Sequence, residues 1–84
     1  MNSESRTLDR VRQIAADVFS VPFESVSATS SPDTIGSWES MQHLNFVLAL
    51  EQEFEVQFEA KHIEEMRSIE IAVLTLEEVR DSGL

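Results

Sequence analysis

The sequence predicts an all-α fold: a small bundle of four helices, two of them short, with one long connection between the first and second. Three observations predict it. Apolar residues recur at steps of three and four in separate stretches; the window from Trp38 to Phe54 holds no Gly or Pro; and nothing alternates apolar and polar long enough to demand a strand. The one period-two run, Phe54-Glu55-Val56-Gln57-Phe58, reads as a helix end and loop.

In the first helix, Leu8, Val11, Ile14, Ala15, Val18 and Phe19 lay an apolar stripe along one side, with Ser5 or Thr7 placed to cap it. Pro22 ends that periodicity. Ser20 to Ser37 is rich in Ser, Thr, Pro and Asp and reads as a long connection, pinned to the core by Phe23, Val26 and Ile35. A structureless loop of that length is unusual in so small a domain, so a short helical turn after Pro22, a functional role, or both are expected. The second helix spans about Trp38 to Phe54, where Leu, Met, Ala, Glu and Gln are strong helix formers. Glu59 to Met66 forms a short third helix. Ser68 stands where an N-cap would start a fourth, with Glu70 near its positive end and Ile69, Ala72, Val73 and Leu76 facing inward.

The second helix carries two apolar stripes. At 100° per residue, Phe46, Val47, Leu50 and Phe54 cluster on one side, and Met41, Leu44 and Leu48 lie roughly opposite. Either the helix is central and both stripes are core, or the second stripe is a docking strip. An exposed Met41, Leu44 and Leu48, flanked by Glu51, would suit a partner that is apolar in the middle and basic at its rim.

At 84 residues with 42% apolar composition, the chain reads as a single domain over 1–84 with an ordered core at about 7–80. Such a domain is marginally stable and has little room for a deep catalytic cleft. The absence of cysteine excludes a disulfide framework and a thiolate metal site, so packing must hold the fold. No apolar run approaches the roughly 20 residues that cross a bilayer, and the start MNSESRTLDR lacks the apolar stretch of a signal peptide. A cytoplasmic, monomeric protein is expected.

Sixteen acidic against six basic residues give a formal charge of −10. The excess is uneven, with five acids and three bases before Glu39 and eleven acids and three bases from Glu39 onward. A field of this sign repels phosphate backbones and anionic lipid heads and speeds encounter with basic protein surfaces. Nucleic acid and membrane are therefore not expected partners. An acidic surface also serves solubility, so charge alone does not set function.

The run Ile35-Gly36-Ser37-Trp38-Glu39-Ser40-Met41-Gln42-His43-Leu44 is similar to the modification motif of the acyl carrier proteins, most of all the stand-alone kind. In that family a loop ending in Leu-Gly leads to Asp-Ser-Leu at the start of the second helix. A Trp before the Asp and a His-Leu after it are common in small free carriers, and Trp38, His43 and Leu44 match. Ala49-Leu50-Glu51-Gln52-Glu53-Phe54 resembles the family's Ala-Leu-Glu-Glu-Glu-Phe stretch, and helix order and lengths agree from about residue 7 to 80.

The resemblance implies that Ser40 receives 4′-phosphopantetheine from coenzyme A through a separate phosphopantetheinyl transferase. A thiol at the far end of that arm then carries an acyl or aminoacyl group as a thioester. It implies as partners an acyl- or aminoacyl-loading ligase and downstream acyl-processing enzymes of fatty-acid, polyketide or other secondary-metabolite biosynthesis. Together with Glu39 beside the serine, the strip of Met41, Leu44, Leu48 and Glu51 is the candidate for partner recognition, and the resemblance implies no catalytic residue in this chain. A serine in the first turn of a helix places its hydroxyl beside unpaired N–H groups and the positive end of the dipole, which favours a phosphodiester. The chain departs from the family in Glu39 for Asp, Met41 for Leu, Glu55 where Gly is frequent, and Asn45 where many relatives carry an acid. Glu is a poorer N-cap than Asp, which leaves Ser37 as the alternative at the helix start.

Other constellations are weaker. Ser40 and His43 lie three apart on one helix, but no group to orient the imidazole and no oxyanion donors are identifiable. His62 with Glu64 and Glu65 has a spacing that could touch a metal, although such residues on an acidic helix are usually solvated. No EF-hand loop, Gly-rich phosphate loop or basic aromatic patch is present. The competing function from another class is a carrier-like module that binds a partner through its second helix with no prosthetic group.

Overall fold

Four helices follow one another in the computed structural model, which describes residues 3–82: α1 (Ser3–Phe19), α2 (Ser40–Phe54), α3 (Ala60–Glu65) and α4 (Ile69–Ser82). Among the described residues there is no strand. Helix α1 packs against both α2 and α4, because its apolar stripe is wide enough to serve two neighbours. Val11, Ala15, Ala16 and Phe19 are buried from that stripe, with Leu8, Ile14 and Val18 at its margins. The first helix begins earlier than its apolar pattern shows, so Ser5 and Thr7 lie within α1 and not at its cap. Polar residues can extend a helix beyond the stripe that reveals it.

After α1 the chain turns at Ser20, a non-glycine residue at φ 57°, and Val21 N–H bonds back to the Ala16 carbonyl at 3.1 Å. The expected helical turn after Pro22 is a 3₁₀ turn, Phe23–Ser25. Val26 and Ile35 are buried and Phe23 is packed at the core edge, as the loop reading required. Arg12 holds this segment from α1. Its Nε donates to the Val26 carbonyl at 2.7 Å, and its guanidinium lies 4.2 Å from the Phe23 ring centroid. The loop in turn closes the start of α4: the Ser30 carbonyl accepts from Ile69 N–H at 3.0 Å and the Ala28 carbonyl from Glu70 N–H at 2.8 Å. Ser68 completes the cap, its Oγ accepting from Ile71 N–H at 3.1 Å. Ile69, Ala72, Val73 and Leu76 face the core from α4 as their spacing predicted.

Helix α2 starts at Ser40 and not at Trp38. Trp38 is core, stacked on Phe19 with centroids 4.7 Å apart and set edge-on to Phe46 at 5.5 Å. That burial needs an extended chain before the helix. Phe46, Val47 and Leu50 are buried on the inner face. Burying each such side chain stabilises the fold by about 1.5–3 kcal/mol. The helix ends at Glu55 in the left-handed region, φ 55° and ψ 50°, with its N–H on the Glu51 carbonyl. The short α3 starts with a capping box, in which Glu59 accepts from the His62 N–H and the His62 ring accepts from Glu59 N–H. Met66, fully buried, fastens its other end.

Candidate functional site

Ser40 is exposed at the first position of α2, and the residues around it explain how so short a segment is held. Ser37 Oγ donates to the Phe19 carbonyl at 2.7 Å, tying the loop to the end of α1. It therefore does not cap α2, contrary to the alternative drawn from the sequence. Gln42 Nε2 reaches the Val18 carbonyl at 2.9 Å, a second bond from this turn to α1. An added Cβ at Gly36 would meet nothing within 4 Å, so the glycine of the motif is not required by close packing here.

Trp38 and His43 occupy the positions before the N-cap and in the second turn where a hydrophobic staple is usually found. Here the staple is also a hydrogen bond: Trp38 Nε1 donates to His43 Nδ1 at 2.9 Å. Indole is only a donor, so His43 Nδ1 is the bare nitrogen and Nε2 carries the proton, which it donates to the Ile63 carbonyl at 2.7 Å. One chain of bonds thus joins the loop, α2 and α3. With both ring nitrogens committed, His43 has no free acceptor for the Ser40 proton, which argues against a nucleophile–base pair. His62 likewise spends Nδ1 on the Glu59 N–H at 3.1 Å, and among the described residues no three His, Asp or Glu side chains gather as metal ligands.

The start of α2 is open. Glu39 stands at the N-cap with no side-chain capping bond, and the first turn holds no acid. The first N–H groups of a helix have no intrahelical partner, and at α4 the loop carbonyls and Ser68 fill that role. Among the described residues no side chain does so at α2. Beside Ser40 lies a cleft of about 430 Å³, walled by Pro32, Trp38, His43, Leu44 and Ile63, with Glu39, Glu64 and Arg67 at its charged margin. A larger and more open hollow, about 670 Å³, lies at the far end of α2 between Phe54, Val79 and Arg80. It contains no serine, cysteine or histidine and is remote in the chain from the motif.

The second stripe of α2 is surface. Met41, Leu44 and Leu48 are 71%, 52% and 55% exposed, which resolves the two alternatives in favour of an uncovered strip. It runs down the helix from Ser40, and Leu44 also borders the cleft. Glu51 turns to its own chain: its Oε2 accepts the Phe58 N–H at 2.8 Å, so that oxygen holds the segment after α2. Asn45 Nδ2 donates to Gln42 Oε1 at 2.7 Å. Sequence reasoning missed Ile63 and Arg67 at the cleft, since no local pattern ties α3 and its C-terminal junction to Ser40. It also missed the Trp38–His43 bond, for which the staple spacing was an available signal.

No protein-family model matches the sequence, and no curated protein matches it significantly. Among the described residues, no helix is long and apolar enough to cross a membrane.

Proposed function

We propose that this chain is a stand-alone acyl carrier protein, with a bundle of acyl-carrier type and Ser40 as the attachment point for 4′-phosphopantetheine. The observation that carries the reading is the exposed Ser40 at the uncapped start of α2, beside a cleft and at the head of an apolar strip. The residues present fit the group. The hydroxyl is accessible, the first-turn N–H groups face a phosphodiester with the favourable sign of the helix dipole, and the cleft offers apolar walls at the root of the arm. When bound, phosphopantetheine supplies a terminal thiol that carries acyl or aminoacyl cargo as a thioester.

This chain's own part is positioning. Trp38, His43 and Ser37 fix the turn that presents Ser40, and the side-chain oxygen forms the bond to phosphorus while the nucleotide half of coenzyme A leaves and the proton passes to the transferase. Met41, Leu44 and Leu48, within an acidic surround that includes Glu39, present a surface for phosphopantetheinyl transferase, a loading ligase and acyl-processing enzymes. Docking raises the effective concentration of cargo at each active site, so no catalytic residue is needed here.

The test is labelling with coenzyme A bearing a fluorophore on its thiol, magnesium and a broad-specificity transferase. Wild type should take the label and Ser40→Ala should not. Failure of folded wild type to label with several transferases would favour an interaction module that uses the same exposed strip without a prosthetic group.

A further inference from the structure

We propose that Arg67 binds the phosphodiester of an arm carried on Ser40, holding the root of the arm against the cleft; this rests on the carrier reading above. Ser40 and Arg67 border the same cleft from different elements. The charged residues that share it are Glu39 and Glu64, both of the same sign as a phosphodiester, which leaves Arg67 as its one cationic lining residue. Helix α2 contributes N–H groups but no full positive charge. In a chain of net charge −10, an added anion at Ser40 raises the repulsion that Arg67 alone is placed to offset.

The backbone of Arg67 is fixed while its side chain is free to reach. Met66 before it and Ile69 after it are fully buried, its N–H donates to the Glu65 carbonyl at 2.8 Å, and Ser68 caps α4. Arg67 itself is exposed. Three other arginines are occupied: Arg10 pairs with Glu53, Arg12 with Asp9, and Arg80 lies over Phe54. Among the described residues, nothing engages the Arg67 guanidinium. Its planar fork suits two oxygens of a phosphodiester in a way that a lysine does not.

The experiment compares wild type, Arg67→Gln and Arg67→Lys, each with and without the arm, after intact mass has shown one arm per chain. The readouts are ³¹P relaxation of the Ser40 phosphodiester and the Arg67 Nε–H resonance. Loading should shift the Arg67 resonance in wild type. In Arg67→Gln the ³¹P relaxation should show the arm root released, with about a two- to five-fold fall in its held fraction, the range of an exposed ion pair. Arg67→Lys should fall between the two, and high salt should erase the differences. Identical ³¹P relaxation in wild type and Arg67→Gln, with an unmoved Arg67 resonance, would overturn the proposal and leave the carrier reading intact. If no chain accepts an arm, the carrier reading fails and this inference with it. Should Arg67→Gln not fold, the wild-type resonance, with and without the arm, decides alone.

Discussion

Trp38 and His43 set the position of Ser40 through a single hydrogen bond and the ring packing beneath it. Trp38→Phe keeps an aromatic ring against Phe19 but removes the only donor to His43 Nδ1. A buried or half-buried acceptor left unpaired costs about 1–3 kcal/mol, so thermal unfolding should show a loss of that size, and an unchanged midpoint would contradict the assigned hydrogen bond. Glu55 and Ser20 end their helices in the left-handed region, where a Cβ is strained. Glu55→Gly should therefore stabilise the fold by about 1 kcal/mol, measurable by urea unfolding. A loss of stability would show that the Glu55 side chain contributes more than its backbone strain costs. The sequence had flagged Glu55 because it stands where the acyl carrier proteins it resembles often have glycine. Ser20 carried no such flag, because a serine before a proline-containing loop looks like any other loop residue.

At the scale of elements, α4 was the most legible. Its inward residues, its acid in the first turn and its Ser68 cap are all local features, and only the Ser30 and Ala28 carbonyls that complete the helix start come from far along the chain. The start of α2 was less so, since Trp38 is apolar and directly follows the Gly36-Ser37 break, where a helix would be expected to begin. Only its burial between Phe19 and Phe46 explains why the helix waits until Ser40. The two stripes of α2 could not be ranked from sequence because an apolar stripe has the same spacing whether or not another element covers it. With Met41, Leu44 and Leu48 uncovered, Leu48→Glu should leave stability within about 0.5 kcal/mol, as expected for a surface change. The same variant should lower the transferase's kcat/KM about ten-fold, equivalent to about 1.4 kcal/mol of docking energy. A large drop in unfolding midpoint would place Leu48 in the core, and unchanged transferase kinetics would remove it from the docking surface.

At the scale of the whole molecule, the radius of gyration of 11.8 Å matches the roughly 12 Å expected of a compact chain of this length. One cluster of buried side chains from α1, the loop, α2 and α4, with Phe58 and Met66 on either side of α3, fills the interior. If the chain is a carrier as proposed, its cargo would have to lie in surface clefts or travel outside the protein on the arm. The fold class was readable because apolar periodicity reports secondary structure directly. The cleft was not, because Ser40, Ile63 and Arg67 meet only after the loop and α3 have docked. With a net charge of −10, encounter with a basic transferase should be steered by charge. Its association rate should fall as salt rises and the Debye length shrinks to about 3 Å at 1 M. A salt-independent rate would assign docking to the apolar strip alone.

Modification at Ser40 is tested by the intact mass of wild type and Ser40→Ala after incubation with coenzyme A, magnesium and a broad-specificity phosphopantetheinyl transferase. Wild type should gain a single phosphopantetheine, mapped to the peptide containing Ser40, and Ser40→Ala none, with both proteins showing the same unfolding midpoint. No mass gain in folded wild type across several transferases, or the same gain in Ser40→Ala, would contradict modification at Ser40.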